Sequence, residues 1–93
     1  MEAPLSQAWL ELPDGRMHWF DQKPCTIGRG DTCTLVLQVP GISRNHVVIQ
    51  PKPGGGHYLS DLRSTNGTYV NGQRQEQTVA LRDGDRIEIG ELP

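Results

Sequence analysis

Glycine and proline punctuate this chain from end to end, 11 Gly and 7 Pro in 93 residues, and leave no long uninterrupted stretch. Proline fixes φ and removes a backbone donor, and glycine weakens any regular element it interrupts. No 3.6-residue apolar period survives such spacing. What lies between the interruptions is a series of short runs rich in β-branched, aromatic and aliphatic residues. That combination predicts an all-β sandwich or barrel.

The runs can be placed. AWLEL (8–12) and RMHWF (16–20) flank Pro13-Asp14-Gly15, a turn sequence, and predict a hairpin. CTIGR (25–29), TLVLQ (34–38) and HVVIQ (46–50) are expected strands. Pro51, Pro53 and Gly54-Gly55-Gly56 predict an open loop. HYLSDL (57–62) follows, with Tyr58, Ser60 and Leu62 on one face and Leu59 and Asp61 on the other. TYV (68–70), QTVAL (77–81) and RIEIG (86–90) complete the set, with a tight turn at Asp83-Gly84. The whole length, 1–93, reads as one domain, because neither side of the 51–56 loop holds enough strands to bury a core alone.

Composition narrows the function. Nine basic and eleven acidic residues give a net charge of −2, which argues against nucleic acid or an anionic membrane as partner. Cys25 and Cys33 match neither a disulfide framework nor a zinc site, so reduced thiols and no metal are expected. MEAPLSQAW has no basic start followed by an apolar run, so no secretion signal is expected and a cytoplasmic location is the default.

Chemistry concentrates in three loops. Gly28-Arg29-Gly30-Asp31 ends one strand, Gly41-Ile42-Ser43-Arg44-Asn45-His46 precedes another, and Arg63-Ser64-Thr65-Asn66-Gly67 follows a third. They carry Arg29, Arg44 and Arg63, with the Ser64 and Thr65 hydroxyls and the Asn66 amide as outward donors. Loops at one end of a sandwich converge although they are distant in sequence. A phosphate placed there would gain guanidinium, hydroxyl and amide donors. Charge-assisted hydrogen bonds contribute ~1.5–3 kcal/mol each, so a few suffice for micromolar binding.

Taken jointly, these residues resemble the forkhead-associated (FHA) domain family. The resemblance rests on Gly28-Arg29, then Ser43-Arg44-x-His46, then Asp61-Leu62-x-Ser64-Thr65-Asn66-Gly67-Thr68-x-Val70-Asn71-Gly72, then Leu81-x-x-Gly84-Asp85-x-Ile87-x-Ile89-Gly90. It covers roughly residues 24–90. It implies a two-sheet β-sandwich of about ten to eleven short, mainly antiparallel strands, with ligand-binding loops at one end. It also implies a phosphothreonine-containing protein or peptide as partner, a substrate of a Ser/Thr kinase. Arg29, Ser43, Arg44 and Thr65 would hold the phosphate, and Asn66 would bond the peptide backbone. Gly28, His46, Ser64, Gly67, Asn71 and Gly72 would shape the loops, with His46 bracing them from behind. No cofactor and no catalytic residue is implied, and a monomer is expected. The family usually continues into a further strand after the Ile-x-Ile-Gly element, so the sequence is read as a piece of a longer multidomain protein.

Other readings are weaker. A Ser43–His46 catalytic pair is disfavoured, because residues three apart on a strand face opposite ways. Arg29-Gly30-Asp31 and Asn66-Gly67-Thr68 spell an adhesion tripeptide and a glycosylation acceptor, both coincidental without secretion. His18 and His57 read as plain strand residues, and Trp9, Trp19 and Tyr58 as core rather than a platform for bases. The uncharged Val39-Pro40-Gly41-Ile42 beside the site predicts that the peptide residue meeting it is not acidic. The functional alternative is a phosphate-independent scaffold for protein interaction or dimerisation, using an unpaired sheet edge.

Overall fold

A computed structural model of the chain describes residues 9–12 and 15–90. They form ten strands and no helix: β1 (Trp9–Glu11), β2 (Met17–Trp19), β3 (Cys25–Gly28), β4 (Leu35–Val36), β5 (Val47–Pro51), β6 (His57–Asp61), β7 (Thr68–Val70), β8 (Gln73–Arg74), β9 (Val79–Ala80) and β10 (Ile87–Ile89). Among these residues, no helix is long and apolar enough to cross a membrane. Nor is any group of three His, Cys, Asp or Glu placed to hold a metal ion.

The strands form three sheets rather than two: β1-β2, β10-β7-β8 and β4-β3-β5-β6-β9. Every pairing is antiparallel except β3 with β4. The core follows from the two-residue period of the central strands. Cys25 and Ile27 on β3, Val47 and Ile49 on β5, and Leu59 on β6 are buried. Val70 from the second sheet and Leu12 beside the hairpin close the same cluster, with Leu10, Phe20, Ile87 and Ile89 packed around it. Every buried side-chain nitrogen or oxygen among the described residues has a hydrogen-bond partner.

Several expected strands are shorter than their apolar runs. In 34–38 only Leu35–Val36 pairs, parallel to β3, and in 77–81 only Val79–Ala80 pairs. Side chains substitute for ladder bonds at both places: Thr34 Oγ1 accepts the Thr26 N–H (3.2 Å), and the Thr78 and Ser60 hydroxyls meet at 2.8 Å. Pro51 is the last residue of β5 rather than the first of the loop. The short β8 was not anticipated, because two exposed polar residues carry no pattern.

The hairpin β1-β2 forms as predicted, although Pro13 and Asp14 of its turn lie outside the described residues. The aromatic prediction fails. Trp9 and Trp19 are about half exposed (48% and 53%), and Tyr58 is at 37%. Trp9 pairs with Trp19 across the strands, and the rings meet at 5.2 Å on the outer face, while Leu10 turns inward. The alternation in Trp9-Leu10-Glu11-Leu12 contained this answer, since the leucines and the tryptophan cannot share one face. Tyr58 lies under the Lys52 ammonium, 5.5 Å from its ring centre. His18 and His57 sit on β2 and β6, where His18 Nε2 is 3.6 Å from Cys25 Sγ and His57 stacks on Phe20 at 4.7 Å.

Both cysteines are free and buried. Burial, then the nearby Asp21 and Cys33, push the Cys25 thiol up to about 11, so it stays protonated at neutral pH.

Candidate functional site

The two Asn-Gly pairs do different work. Asn71 and Gly72 both have positive φ (52° and 84°) and separate Val70 from its partner Gln73. That is a two-residue hairpin turn of the kind that matches strand twist. Asn71 also clips a second turn: its Nδ2 donates to Asp85 Oδ1 (2.9 Å) and its Oδ1 accepts the Arg86 N–H (3.0 Å). In the first pair only Gly67 has positive φ. Asn66 instead reaches sideways, its Nδ2 donating to Gly41 O at 2.9 Å. The second pair closes a hairpin and the first joins two loops.

The loop ahead of β7 is built on Asp61. Its Oδ1 accepts from Ser64 Oγ (2.5 Å) and Thr68 Oγ1 (2.6 Å), and its Oδ2 accepts the Ser64 N–H (3.0 Å). Ser64 Oγ then accepts the Gly67 N–H at 3.0 Å. Ser64 is therefore an internal strut of this loop and not the outward donor expected from the sequence. The anchoring role of Asp61 was missed, although Asp followed three residues later by Ser is a recognised turn signal. Burial tends to raise the Asp61 carboxyl, but the hydrogen bonds from Ser64 and Thr68 outweigh it and hold it below its ordinary value of 3.8. A depressed carboxyl contributes stability above its unfolded value and loses it as pH falls through the folded one. The urea midpoint is expected to fall as pH drops below the ordinary carboxyl value of 3.8, with a shallower fall in Asp61→Asn. An identical pH profile in that variant would contradict this role.

The segment Gly41–Arg44 is held from both sides. On one side the Arg29 N–H donates to Ser43 O (3.0 Å) and the Gly30 N–H to Arg44 O (2.9 Å). Arg29 Nε donates to Ile42 O at 2.8 Å, which fixes the guanidinium. Gly28 makes this approach possible, because a Cβ there would lie 2.1 Å from Arg44 O. On the other side Ser43 Oγ accepts the Thr65 N–H at 3.0 Å, beside the Asn66–Gly41 bond. Beneath both, Cys33 Sγ donates to Arg44 O at 3.0 Å.

His46 locks the arrangement from behind. It is fully buried. Its Nδ1 accepts the Ser43 N–H (3.1 Å) and its Nε2 faces Gly67 O (2.8 Å). A backbone N–H can only donate and a carbonyl can only accept, so the proton sits on Nε2. The ring thus ties the Ser43 loop to the Gly67 loop. The bond that His46 Nδ1 makes to Ser43 is to its backbone N–H rather than to its hydroxyl.

The outcome is one open depression of about 470 Å³ lined by Arg29, Gly41, Ile42, Ser43, Arg44, Thr65 and Asn66. All five residues expected to touch a ligand line it. The six expected to shape loops lie outside the lining: Gly28, His46, Ser64 and Gly67 behind or beside it, Asn71 and Gly72 at the next turn. No carboxylate lies within ion-pair distance of Arg29 or Arg44 among the described residues. Ser43 Oγ has accepted a bond from Thr65, so its own proton remains to donate outward. Among the described residues, the Arg29 terminal nitrogens and the Asn66 Oδ1 also stay available. The depression can therefore receive a compact anion, flanked by an amide oxygen able to take a backbone N–H.

Comparison with known proteins gives the family and the fold. The sequence profile of the FHA domain matches residues 25–90. The chain belongs to the FHA domain family. It is 38% identical over 82 residues to the ABC transporter ATP-binding/permease protein Rv1747 of Mycobacterium tuberculosis, covering 88% of this chain and 8% of that one. It is 35% identical over 92 residues to the E3 ubiquitin-protein ligase RNF8 of Rattus norvegicus, covering 92% of this chain and 18% of that one. The chain therefore spans a small part of these relatives. A structure from a study of phosphothreonine-dependent FHA domain interactions superposes with a TM-score of 0.84 at 38% identity, covering 91% of this chain and 88% of that one. Mycobacterium tuberculosis EmbR in complex with a low-affinity phosphopeptide gives 0.83 at 35% identity, covering 90% and 22%.

Proposed function

We propose that this domain binds phosphothreonine in a partner protein or elsewhere in its own chain, and that it recruits rather than catalyses. One observation carries the reading: five side chains from three loops, Arg29, Ser43, Arg44, Thr65 and Asn66, line a single open depression. Phosphothreonine brings roughly −1.5 to −2 charges and three acceptor oxygens. Arg29 and Arg44 supply the countercharge, and the Ser43 and Thr65 hydroxyls supply directional donors. Asn66 Oδ1 takes a peptide N–H and sets the direction of the ligand. The solved relatives studied with phosphothreonine and phosphopeptides support this assignment. The natural source of such a ligand is a Ser/Thr kinase substrate in the cytoplasm, and the effect would be to recruit it or to regulate an attached domain.

Calorimetric titration tests it with matched phosphothreonine, phosphoserine and unmodified peptides. Phosphothreonine is expected to bind best and the unmodified peptide not measurably. Arg29→Ala is expected to weaken binding by about 10- to 100-fold, since a hydrogen bond to a charged group contributes ~1.5–3 kcal/mol. Equal affinity for the three peptides, or partner capture that survives Arg29→Ala, would favour the phosphate-independent scaffold instead.

A further inference from the structure

Arg63 stands apart from the other loop arginines in its backbone. Its φ is +57°, in the left-handed region, where among the non-glycine residues described only Asn71 joins it. Asn tolerates that region through short-range hydrogen bonds, and arginine has no such compensation. A residue held in a sparsely populated conformation persists because its surroundings impose it, and such residues cluster at functional sites. Here the surroundings are plain. The Leu62 N–H is bonded to His46 O, and the Ser64 N–H to Asp61 Oδ2, so the chain must reverse at the residue between them.

Glycine would make that reversal without strain, but the sequence has the most strongly basic side chain there. Arg63 is exposed and has no hydrogen-bond or ion-pair partner among the described residues. The nearest carboxylate in sequence, Asp61, is already taken by Ser64 and Thr68. Arg63 does not line the depression. Yet it is only two residues from Thr65, which does, so their Cα atoms lie within about 7.6 Å. A phosphate seated on Arg29 and Arg44 would leave this third guanidinium without a countercharge, in a chain whose net charge is −2.

We propose that Arg63 is a specificity residue that meets a second anionic group on the ligand, close to the phosphothreonine and outside the phosphate depression. The group is a carboxylate or a further phosphate, both of which match the planar guanidinium donors. This rests on the phosphothreonine reading above.

The experiment compares the wild type with Arg63→Gly, which keeps the positive φ and removes the charge. Peptides carry phosphothreonine with neutral neighbours, with a single Asp at each nearby position in turn, or with phosphoserine at those positions. The wild type is expected to bind the best acidic peptide about three- to tenfold more tightly than the neutral one, as one exposed charge-assisted contact supplies. That preference is expected to shrink with added salt. Arg63→Gly should lose the preference, bind the neutral peptide as the wild type does, and unfold at the same or a higher temperature. A greater gain from phosphoserine than from Asp would assign the site to a second phosphate, and equal gains to any acidic group. If the neutral peptide binds and no acidic peptide gains, or if Arg63→Gly keeps the preference, this proposal fails alone. If no phosphothreonine peptide binds the wild type, the broader reading fails with it.

Discussion

Gly28→Ala is expected to cost about 3–4 kcal/mol and to abolish ligand binding, although it adds a single methyl group. The Cβ would lie 2.1 Å from Arg44 O, 2.7 Å from Arg44 C and 2.9 Å from Ser43 O. All three atoms are backbone, so no side chain can swing aside. Relief requires moving the Ser43–Arg44 backbone away from β3, which breaks the Arg29–Ser43 and Gly30–Arg44 hydrogen bonds. Overpacking of a close contact typically costs 1–3 kcal/mol, and a clash with rigid atoms belongs at or above the top of that range. At roughly 4–8 °C per kcal/mol for a domain of this size, Tm should fall by about 12–30 °C. Thermal unfolding by circular dichroism measures it. Gly30 provides the control, because a Cβ there meets the same carbonyl at 3.1 Å, where a small shift suffices. Gly30→Ala should cost about 1 kcal/mol. Equal effects at the two positions would mean that the approach of these loops is not the governing contact.

His46→Phe is the second large effect, and it separates packing from hydrogen bonding. Phenylalanine fills a comparable volume in a fully buried position but has no polar atom. It would leave the Ser43 N–H and Gly67 O without their partners. Each buried group so orphaned costs about 1–3 kcal/mol, giving about 4 kcal/mol together and a fall in Tm of about 16–30 °C. The functional loss should exceed the thermal one. At temperatures where the variant is still folded, the Ser43 and Gly67 loops are no longer tied to each other, so phosphothreonine affinity should drop about tenfold or more. A variant that keeps the wild-type Tm and affinity would show that His46 serves only as filling.

The contrast between Gly28 and Gly67 marks what could be read in advance. Both stand in the motif as glycines. For Gly67 the reason is local, since Asn-Gly signals a turn and the observed φ is +87°. Gly28 has no positive φ, and its necessity lies in a carbonyl sixteen residues further along the chain. No letter of the sequence marks that carbonyl, because every residue has one. The same holds for the carbonyls of Gly41 and Ile42, which fix Asn66 and Arg29. The motif indicated which residues meet at the site. Which donors would be used up inside the protein, such as the Ser64 hydroxyl and the Thr65 N–H, depended on partners that only folding brings near.

What the sequence determined alone was set by short-range chemistry. Turn residues at close intervals excluded helices, two-residue alternation put Val47, Ile49 and Leu59 in the core, and Asn71-Gly72 closed a hairpin. The tertiary structure decided the division into three sheets, the parallel β3-β4 pair and the strained reversal at Arg63. Periodicity acts between neighbours in the chain and can be read along it. Sheet membership, loop approach and backbone strain depend on groups far apart in sequence, and their energies exist only once those groups are packed together.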